Sequence, residues 1–212
     1  YIAGLKSFQD GMYQIQDISS MLAGEYTAPK AGDTIVDVCG APGGKSINAA
    51  LKMSEQGDCG RVIARDLSDY KVALIDENIK RLNITNIQTQ VYDALDCDES
   101  LINKADIVIA DLPCSGLGII GRKPDIKYNA SPEKLQSLVD LQRDILKVVS
   151  RYVKSGGVLM YSTCTINRAE NEDNADWICK ESGFTKDGEY HQLLPANNSG
   201  MDGFFVARLI KS

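Results

Sequence analysis

The hydrophobic pattern of this chain alternates between short apolar runs and longer segments in which apolar residues recur every three or four positions. Short apolar runs bounded by polar or glycine residues are typical of buried strands, and the longer spacing is typical of amphipathic helices. The alternation of the two predicts an α/β protein with a doubly wound, Rossmann-like parallel sheet that helices cover on both faces. The pattern predicts strands at residues 34–38, 61–65, 86–91, 105–110, 158–161 and 203–210, and helices at about 43–52, 68–82, 131–153 and 169–181.

A further helix is predicted near the start of the chain. Asp17 is a good capping residue for it, because its carboxylate can accept from free backbone N–H groups. The helix is expected to carry Ile18, Met21, Leu22 and Tyr26 on its apolar face. No linker or repeat interrupts the strand–helix alternation, so we expect one domain over residues 1–212, with residues 1–30 as a helical lead-in.

Composition is ordinary for a soluble globular chain: of 212 residues, 43% are apolar and 25% are charged. No apolar run approaches the length that a membrane span requires, so we expect no membrane partner. The six cysteines lack the close spacing of a zinc site, and His191 is the single histidine. We therefore expect reduced thiols, no metal site and a cytoplasmic location.

The formal net charge of −6 argues weakly against a nucleic-acid partner, because phosphate binders usually carry basic patches. One local exception is the sequence Arg-Lys-Pro-Asp-Ile-Lys at positions 122–127. Charge pattern alone indicates a solvated loop for that segment.

Two cysteines are the strongest chemical signal. Cys114 and Cys164 each follow a predicted strand within a few residues. Ligands of open α/β sheets bind at strand ends, and a thiolate is a strong nucleophile. The pair therefore indicates covalent chemistry at one edge of the sheet, while Cys59, Cys97 and Cys179 are expected to be inert.

A glycine-rich loop at positions 37–46 follows the first strand and opens a helix, where free N–H groups could bind an anion. Residues 44–46 copy the end of a nucleotide-binding Walker loop, but Cys39 stands where that loop requires glycine. The alternative ligand is S-adenosylmethionine, which combines a carboxylate with a cationic sulfonium. Carboxylates that end three strands suit such a cation: Asp66, Asp93 and Asp111.

From residue 16 to residue 205 the chain resembles the RNA cytosine-5 methyltransferases, and most closely the bacterial 16S rRNA enzymes of the Sun/Fmu type. Residues 37–45 resemble the family's Asp-x-Cys-Ala-Ala-Pro-Gly-Gly-Lys signature, with Gly40 in place of the first alanine. Residues 111–116 are similar to its Asp-x-Pro-Cys-Ser-Gly element, and Thr163-Cys164 to its Thr-Cys element. Residues 122–128 and 202–205 also resemble family segments.

The resemblance implies a role for each matching residue. S-Adenosylmethionine is expected to bind Cys39, Gly40, Ala41, Pro42, Gly43, Gly44, Lys45, Asp66, Asp93 and Asp111. Cys164 is implied as the nucleophile that attacks C6 of cytosine, and Cys114 as the residue that assists release as acid, base or relay. Asp111 is expected to contact the N3/N4 edge of the base, and Arg122, Lys123 and Lys127 the RNA phosphates.

Relatives carry an N-terminal RNA-binding domain, which would compensate for the acidity of this part of the chain. Three alternatives stay open: a tRNA cytosine-5 methyltransferase, a non-catalytic RNA-binding or ribosome-assembly module, and a methyltransferase for protein or exocyclic amines. The last would be expected to carry an Asp/Asn-Pro-Pro-aromatic element where this chain has Asp-Leu-Pro-Cys. The sequence predicts neither the target nucleotide nor the oligomeric state.

Overall fold

Eight strands join in one mixed sheet in the computed structural model, which describes residues 2–57, 60–195 and 201–212. The strands are β1 (Thr34–Asp37), β2 (Arg61–Asp66), β3 (Ile87–Val91), β4 (Ala105–Asp111), β5 (Val153–Thr163), β6 (Phe184–Lys186), β7 (His191–Leu193) and β8 (Phe204–Lys211). The helices are α1 (Lys6–Gln9), α2 (Ile18–Thr27), α3 (Gly44–Glu55), α4 (Asp69–Arg81), α5 (Ile126–Asn129), α6 (Pro132–Val149) and α7 (Glu172–Ser182). The doubly wound α/β prediction is confirmed.

Strand order across the sheet is β3-β2-β1-β4-β5-β8-β6, with β7 also paired to β8. The strands β1 to β5 are parallel, as predicted, but β8 runs antiparallel to β5, β6 and β7. The prediction of a wholly parallel sheet is therefore wrong at this edge, where β8 enters between β5 and β6. From β1 the chain adds β2 and β3 on one side, and then crosses to the other side of β1 to add β4 and β5. The point between β1 and β4 is therefore a topological switch point, where open α/β sheets bind ligands.

The core lies on both faces of the sheet. Successive strand residues point to opposite faces, so the neighbours Ile35 and Val36 of β1 enter different clusters. Ile35 belongs with Ile47 of α3 on one face, whereas Val36 belongs with Leu146 of α6 on the other. Both faces exclude water, which explains why the parallel strands have near-continuous apolar sequences.

The lead-in helix α2 forms where predicted, and Asp17 caps it by accepting from the backbone N–H of Ser19 at 2.9 Å. The prediction of its apolar face is only partly correct, because Tyr26 packs against the core whereas Ile18 and Met21 are about half exposed. The buried face carries small residues instead, including Gly24, whose added Cβ would lie 2.6 Å from Oδ1 of Asn48. Small residues let α2 approach α3 closely, which brings the start of α2 next to the ends of β1 and β4.

Strand β5 begins at Val153, earlier than predicted, and α6 ends at Val149 rather than near residue 153. The Ser-Gly-Gly sequence at 155–157 looks like a helix stop followed by a loop, but it lies inside the strand. The register with β4 passes from Ala105–Val153 to Ile107–Val158, so the glycines occupy an irregularity of the pairing. Glycine suits that position because it tolerates the close approach of backbone at bulges.

Several short elements escaped prediction. β6 and β7 have three residues each, and α1 and α5 have four, too few to display a periodic pattern. Residues 169 and 170, at the start of a predicted helix, instead lie in a 3-10 turn (Arg168–Glu170) before α7. Within the described ranges, no helix combines the length and the apolar character needed to cross a membrane.

A substitution at Leu159 tests how much the pairing of β4 and β5 contributes to the stability of the core. It is fully buried in β5, opposite Val108 of β4 and Leu209 of β8. Leu159→Ala is expected to lower the free energy of unfolding by about 2–5 kcal/mol, because it removes buried methyl groups and leaves a cavity. Urea unfolding measures this, with Leu51→Ala, at a position 44% exposed, as the control. Equal losses from the two variants would contradict the assignment of β5 to the core.

Candidate active site

A cavity of about 320 Å³ lies beyond the carboxyl ends of β1, β4 and β5, at the switch point of the sheet. Residues of the loop after β1, of the strand ends and of the lead-in segment line it. This cavity brings together most residues that the sequence analysis selected. They are Cys39, Gly40, Ala41, Pro42, Gly44, Lys45, Asp111 and Cys164.

A second cavity of about 140 Å³ shares Cys39 with the first. Asp66 and Asp93 line it together with apolar side chains such as Leu141 and Ile145. The combination of an apolar slot with two carboxylates suits a flat ring that carries hydroxyl groups. The two cavities together therefore suit an elongated ligand.

The loop after β1 is shaped by Gly43 and held by Asp66. Gly43 has a φ of +105° at the N-cap of α3, and an added Cβ would lie 3.3 Å from side-chain atoms of Ile47 and Ile75. It lines neither cavity, so its place is to form the turn. Oδ2 of Asp66 accepts from the backbone N–H of Ala41 at 3.0 Å, which ties the loop to the end of β2.

Asp111, at the end of β4, is held by groups from two other elements, α3 and β5. Its Oδ2 accepts from the ammonium of Lys45 at 2.5 Å, and its Oδ1 from the hydroxyl of Ser162 at 2.7 Å. Lys45 also donates to Oγ of Ser20 in α2 at 3.1 Å. The carboxylate at the mouth of the site is therefore fixed in orientation, and a buried cation balances its charge.

The two predicted cysteines meet. Sγ of Cys114 lies 3.3 Å from Sγ of Cys164, although the residues are fifty positions apart. Each is half-buried: Cys164 lines the main cavity, and Cys114 lines a neighbouring cavity of about 210 Å³. The pair therefore stands between two spaces, with only Cys164 facing Asp111 and the loop after β1.

The contact makes the two thiols unequal. Donation of a hydrogen bond from Cys114 lowers the pKa of the Cys164 thiol, and the charge of Lys45 acts in the same direction. The same hydrogen bond, together with burial, raises the pKa of the Cys114 thiol. Because a thiolate is the reactive form, Cys164 is the better nucleophile of the pair.

The other described cysteines differ from this pair. Burial and the nearby Asp37 and Asp66 raise the pKa of the Cys39 thiol, so this residue stays protonated in the cofactor loop. Cys97 and Cys179 pack against the core, and Cys59 lies outside the described residues. Across the described part of the chain, no group of three or more His, Cys, Asp or Glu side chains is arranged to hold a metal ion.

The basic segment at residues 122–127 is largely exposed beside the cavity, but its first cationic side chain, Arg122, is paired with carboxylates of the protein. Arg122 forms ion pairs with Asp17 and, at 3.0 Å, with Asp202. It therefore connects the segment to α2 and to the start of β8. Lys123 and Lys127 are exposed, and the ammonium of Lys127 lies 4.7 Å from the centre of the Tyr128 ring.

Three residues without a predicted role surround the ammonium–carboxylate pair of Lys45 and Asp111: Ser20, Ser162 and Phe204. Phe204 lies under the ammonium of Lys45 at 5.2 Å. The available signals were weak, because serine is common at helix starts and strand ends. Only the fold brings these residues to Lys45 and Asp111.

The side chains present fit S-adenosylmethionine. Among the described residues, Oδ1 of Asp37 is buried without a hydrogen-bond partner, and Asp37 lines the main cavity. An ammonium group on the ligand would satisfy that atom. Gly40 and Gly44 leave the backbone of the loop accessible, and the carboxylates of the site favour a cationic ligand over a triphosphate.

Fold and site together define a Rossmann-like S-adenosylmethionine-dependent methyltransferase domain. The model of the family described as 16S rRNA methyltransferase RsmB/F matches residues 25–210, and the chain belongs to that family. The chain is 38% identical over 229 residues to the Bacillus subtilis protein named "Probable ribosomal RNA small subunit methyltransferase B". It is 34% identical over 221 residues to ribosomal RNA small subunit methyltransferase B of Salmonella paratyphi B.

Each comparison covers 99% of this chain, which spans about half the length of these relatives (50% and 49%). A solved structure of NSun6 from Pyrococcus horikoshii with SFG, an S-adenosylmethionine analogue, superposes with a TM-score of 0.87 at 28% identity. That match covers 99% of this chain and 56% of the other. The nucleotide-phosphate alternative for the glycine-rich loop is therefore set aside.

The unequal thiols make a prediction that needs no substrate. Cys114→Ala removes the hydrogen-bond donor and is expected to raise the pKa of Cys164, whereas Cys114→Ser keeps a donor and should raise it less. The measurement is the rate of Cys164 alkylation by iodoacetamide against pH, followed by peptide mass spectrometry. An apparent pKa that falls in the alanine variant would contradict the direction of the hydrogen bond.

Proposed function

We propose that this protein is an S-adenosylmethionine-dependent RNA cytosine-5 methyltransferase that acts on 16S rRNA through a covalent bond between Cys164 and C6 of the target base. The observation that carries the proposal is the Cys114–Cys164 contact of 3.3 Å beside Asp111. Family membership supports the rRNA methyltransferase class. A methyltransferase that acts on an already nucleophilic amine would need no thiol pair.

The chemistry explains the need for a thiolate. C5 of cytosine is too poor in electrons to attack a methyl group, but a bond from Sγ of Cys164 to C6 turns the ring into an enamine. Asp111 and Lys45 are placed to contact the polar edge of the base as charge develops there. Bound S-adenosylmethionine supplies the methyl group, which C5 takes in an in-line displacement.

Release completes the cycle. A base removes the C5 proton, the C5–H electron pair restores the C5–C6 double bond, and the Sγ–C6 bond breaks to return the Cys164 thiolate. The raised pKa of Cys114 keeps this residue a thiol at neutral pH. We therefore assign Cys114 the role of acid, as the hydrogen-bond donor that stabilises the departing thiolate of Cys164.

The target base must leave its stack to enter the cavity, and exposed cations at the rim would hold the flanking phosphates. Lys123 and Lys127 are available for this, with the exposed Tyr128 as a stacking surface. Arg122 is better assigned to bridging Asp17 and Asp202 than to binding phosphate.

The two cysteines should give opposite phenotypes. Cys164→Ala is expected to abolish methylation and to form no protein–RNA adduct, because no thiol reaches C6. Cys114→Ala should still attack but release slowly, so that a covalent adduct accumulates on unmodified RNA. Denaturing electrophoresis with peptide mass spectrometry follows the adduct after incubation with S-adenosylmethionine and a 16S rRNA fragment.

A fragment that contains 5-fluorocytosine is the positive control, because fluorine at C5 blocks the elimination and traps the adduct. An adduct in the Cys164→Ala variant would make Cys114 the nucleophile. A tRNA with the same substitution tests the alternative substrate, and preferential trapping of tRNA would overturn the 16S assignment. A non-catalytic module would trap neither RNA.

The rim cations predict a salt-dependent contribution to RNA binding. The double variant Lys123→Ala/Lys127→Ala should weaken binding and reduce the slope of log K against log salt by roughly 0.7 to 0.9 per removed cation. Fluorescence anisotropy at several salt concentrations measures both effects. Lys80→Ala is the control, because Lys80 lies near the end of α4, where the chain returns to the amino end of β3 and away from the cavity at the carboxyl ends of the strands. An unchanged slope in the double variant would refute the contact.

A further inference from the structure

Glu170 is a buried carboxylate that lies behind the two cysteine loops. It ends the turn between β5 and α7 and is 0% exposed. Its Oε2 accepts from the backbone N–H of Ser115 at 2.8 Å and from the amide of Gln142 at 3.1 Å. Its Oε1 accepts from the amide of Asn167 at 2.9 Å. The carboxylate thus joins the loop of Cys114 to the loop of Cys164.

On the Cys114 side, both neighbours of the cysteine are held. Glu170 binds the N–H of Ser115, while the amide of Gln142 donates to the carbonyl of Pro113 at 2.9 Å. Gln142 is itself fully buried, and its Oε1 accepts from the amide of Asn174 at 2.8 Å. The backbone on each side of Cys114 is therefore anchored to the same carboxylate–amide pair.

On the Cys164 side, Asn171 plays the matching part. The hydroxyl of Thr163 donates to Oδ1 of Asn171 at 2.5 Å, and the amide of Asn171 donates to the carbonyl of Thr165 at 3.0 Å. The two loops also meet directly, since the hydroxyls of Ser115 and Thr165 lie 2.7 Å apart. Because Glu170 precedes Asn171 in the chain, one short segment holds the neighbours of both cysteines.

Stability alone does not explain a charge in this position. Within the described residues no lysine or arginine pairs with Glu170, and only N–H donors face its oxygens. A buried carboxylate costs free energy to desolvate, which a neutral side chain would avoid. Its two oxygens are, however, able to accept from donors of two separate loops at once.

We propose that Glu170 is a positioning residue that holds Cys114 against Cys164, and so sets both the reactivity of the Cys164 thiol and, where the proposed function holds, the release of the methylated base. Glu170 touches no reacting atom itself. Its removal is therefore expected to act as a partial loss of Cys114. Attack by Cys164 should be retained and should slow only as far as the thiolate fraction of Cys164 falls, because Asn171 still holds the neighbours of this cysteine.

Substitutions of different severity at Glu170 should slow adduct release to different degrees. Glu170→Ala removes all three acceptor contacts and should slow adduct release on the order of 10- to 100-fold, the scale expected when a reacting group is misplaced. Glu170→Gln can still accept from Ser115 and Gln142, but its amide then faces the amide of Asn167. It should rescue the alanine defect in part. Asn167→Ala removes one of the three contacts to Glu170, together with the bond from the backbone N–H of Ala169, and provides a milder variant if Glu170→Ala fails to fold.

The matched control is Asp173→Asn, which removes one negative charge three residues along the chain. Asp173 is exposed and pairs with Arg168. It should leave adduct release and thiol reactivity unchanged. In the double variant Cys114→Ala/Glu170→Gln, release should be no slower than in Cys114→Ala alone, because both changes act on the same step.

Two readouts separate this inference from the proposed function. The first needs no RNA: the pH dependence of Cys164 alkylation should move to higher pH in Glu170→Ala, as in Cys114→Ala, and an unchanged profile would overturn the positioning role. The second is accumulation of the adduct on unmodified RNA. If Glu170→Ala loses attack and release together and no adduct accumulates, Glu170 has only a structural role and the proposal is overturned. Absence of any adduct from the unaltered protein on 5-fluorocytosine RNA would instead refute the proposed function and leave the alkylation result to decide the inference.

Discussion

The parallel pairing of β4 and β5 determines where every reactive group of the site lies. Asp111 is opposite Ser162 in this register, and the backbone N–H of Leu112 still bonds to the carbonyl of Ser162 at 3.1 Å beyond the last pair. The segments that follow β4 and β5 then leave the sheet side by side, so that Cys114 and Cys164 are in contact. A slip of one residue would turn the hydroxyl of Ser162 to the opposite face and separate it from Asp111. Antiparallel pairing of β5 with β8 on its other side keeps the strand from slipping.

Charge in the cavity comes from the ends of β1 and β4. Asp37 and Asp111 end adjacent strands, and Lys45 approaches from the first turn of α3 to balance them. Burial raises the pKa of Asp37 to about 7, so this carboxyl is readily protonated near neutral pH. A cationic group placed against its free Oδ1 would favour the ionised form, because an opposite charge stabilises a carboxylate. The site therefore has a fixed carboxylate beside the thiols and a second one whose charge responds to the ligand.

Features of the fold and site that depend on local sequence pattern could be predicted from the sequence. The strands near 34–38 and 61–65 are apolar runs with turn residues at their ends, and the residues that follow such strands meet by topology. Features that depend on distant residues were not predictable. Arg122 reads as a solvated cation until the fold brings it to Asp17, 105 positions away. Glu170 reads as an exposed residue at a helix start, and only the packing of α6 and α7 against β5 encloses it.

The interior beneath the thiols differs from the rest of the core in being polar. Gln142, Glu170, Asn171 and Asn174 are all 0% exposed, in a region that apolar side chains could fill at lower cost in desolvation. Apolar packing is non-directional and would leave the backbone beside each cysteine free to shift by fractions of an ångström. Hydrogen bonds to those backbone groups fix direction as well as distance. A hydrogen bond between the two thiols depends on such direction, because the donor must point at its partner for the two pKa values to separate. The polar interior thus fixes the direction of both cysteine loops, which apolar packing would leave free.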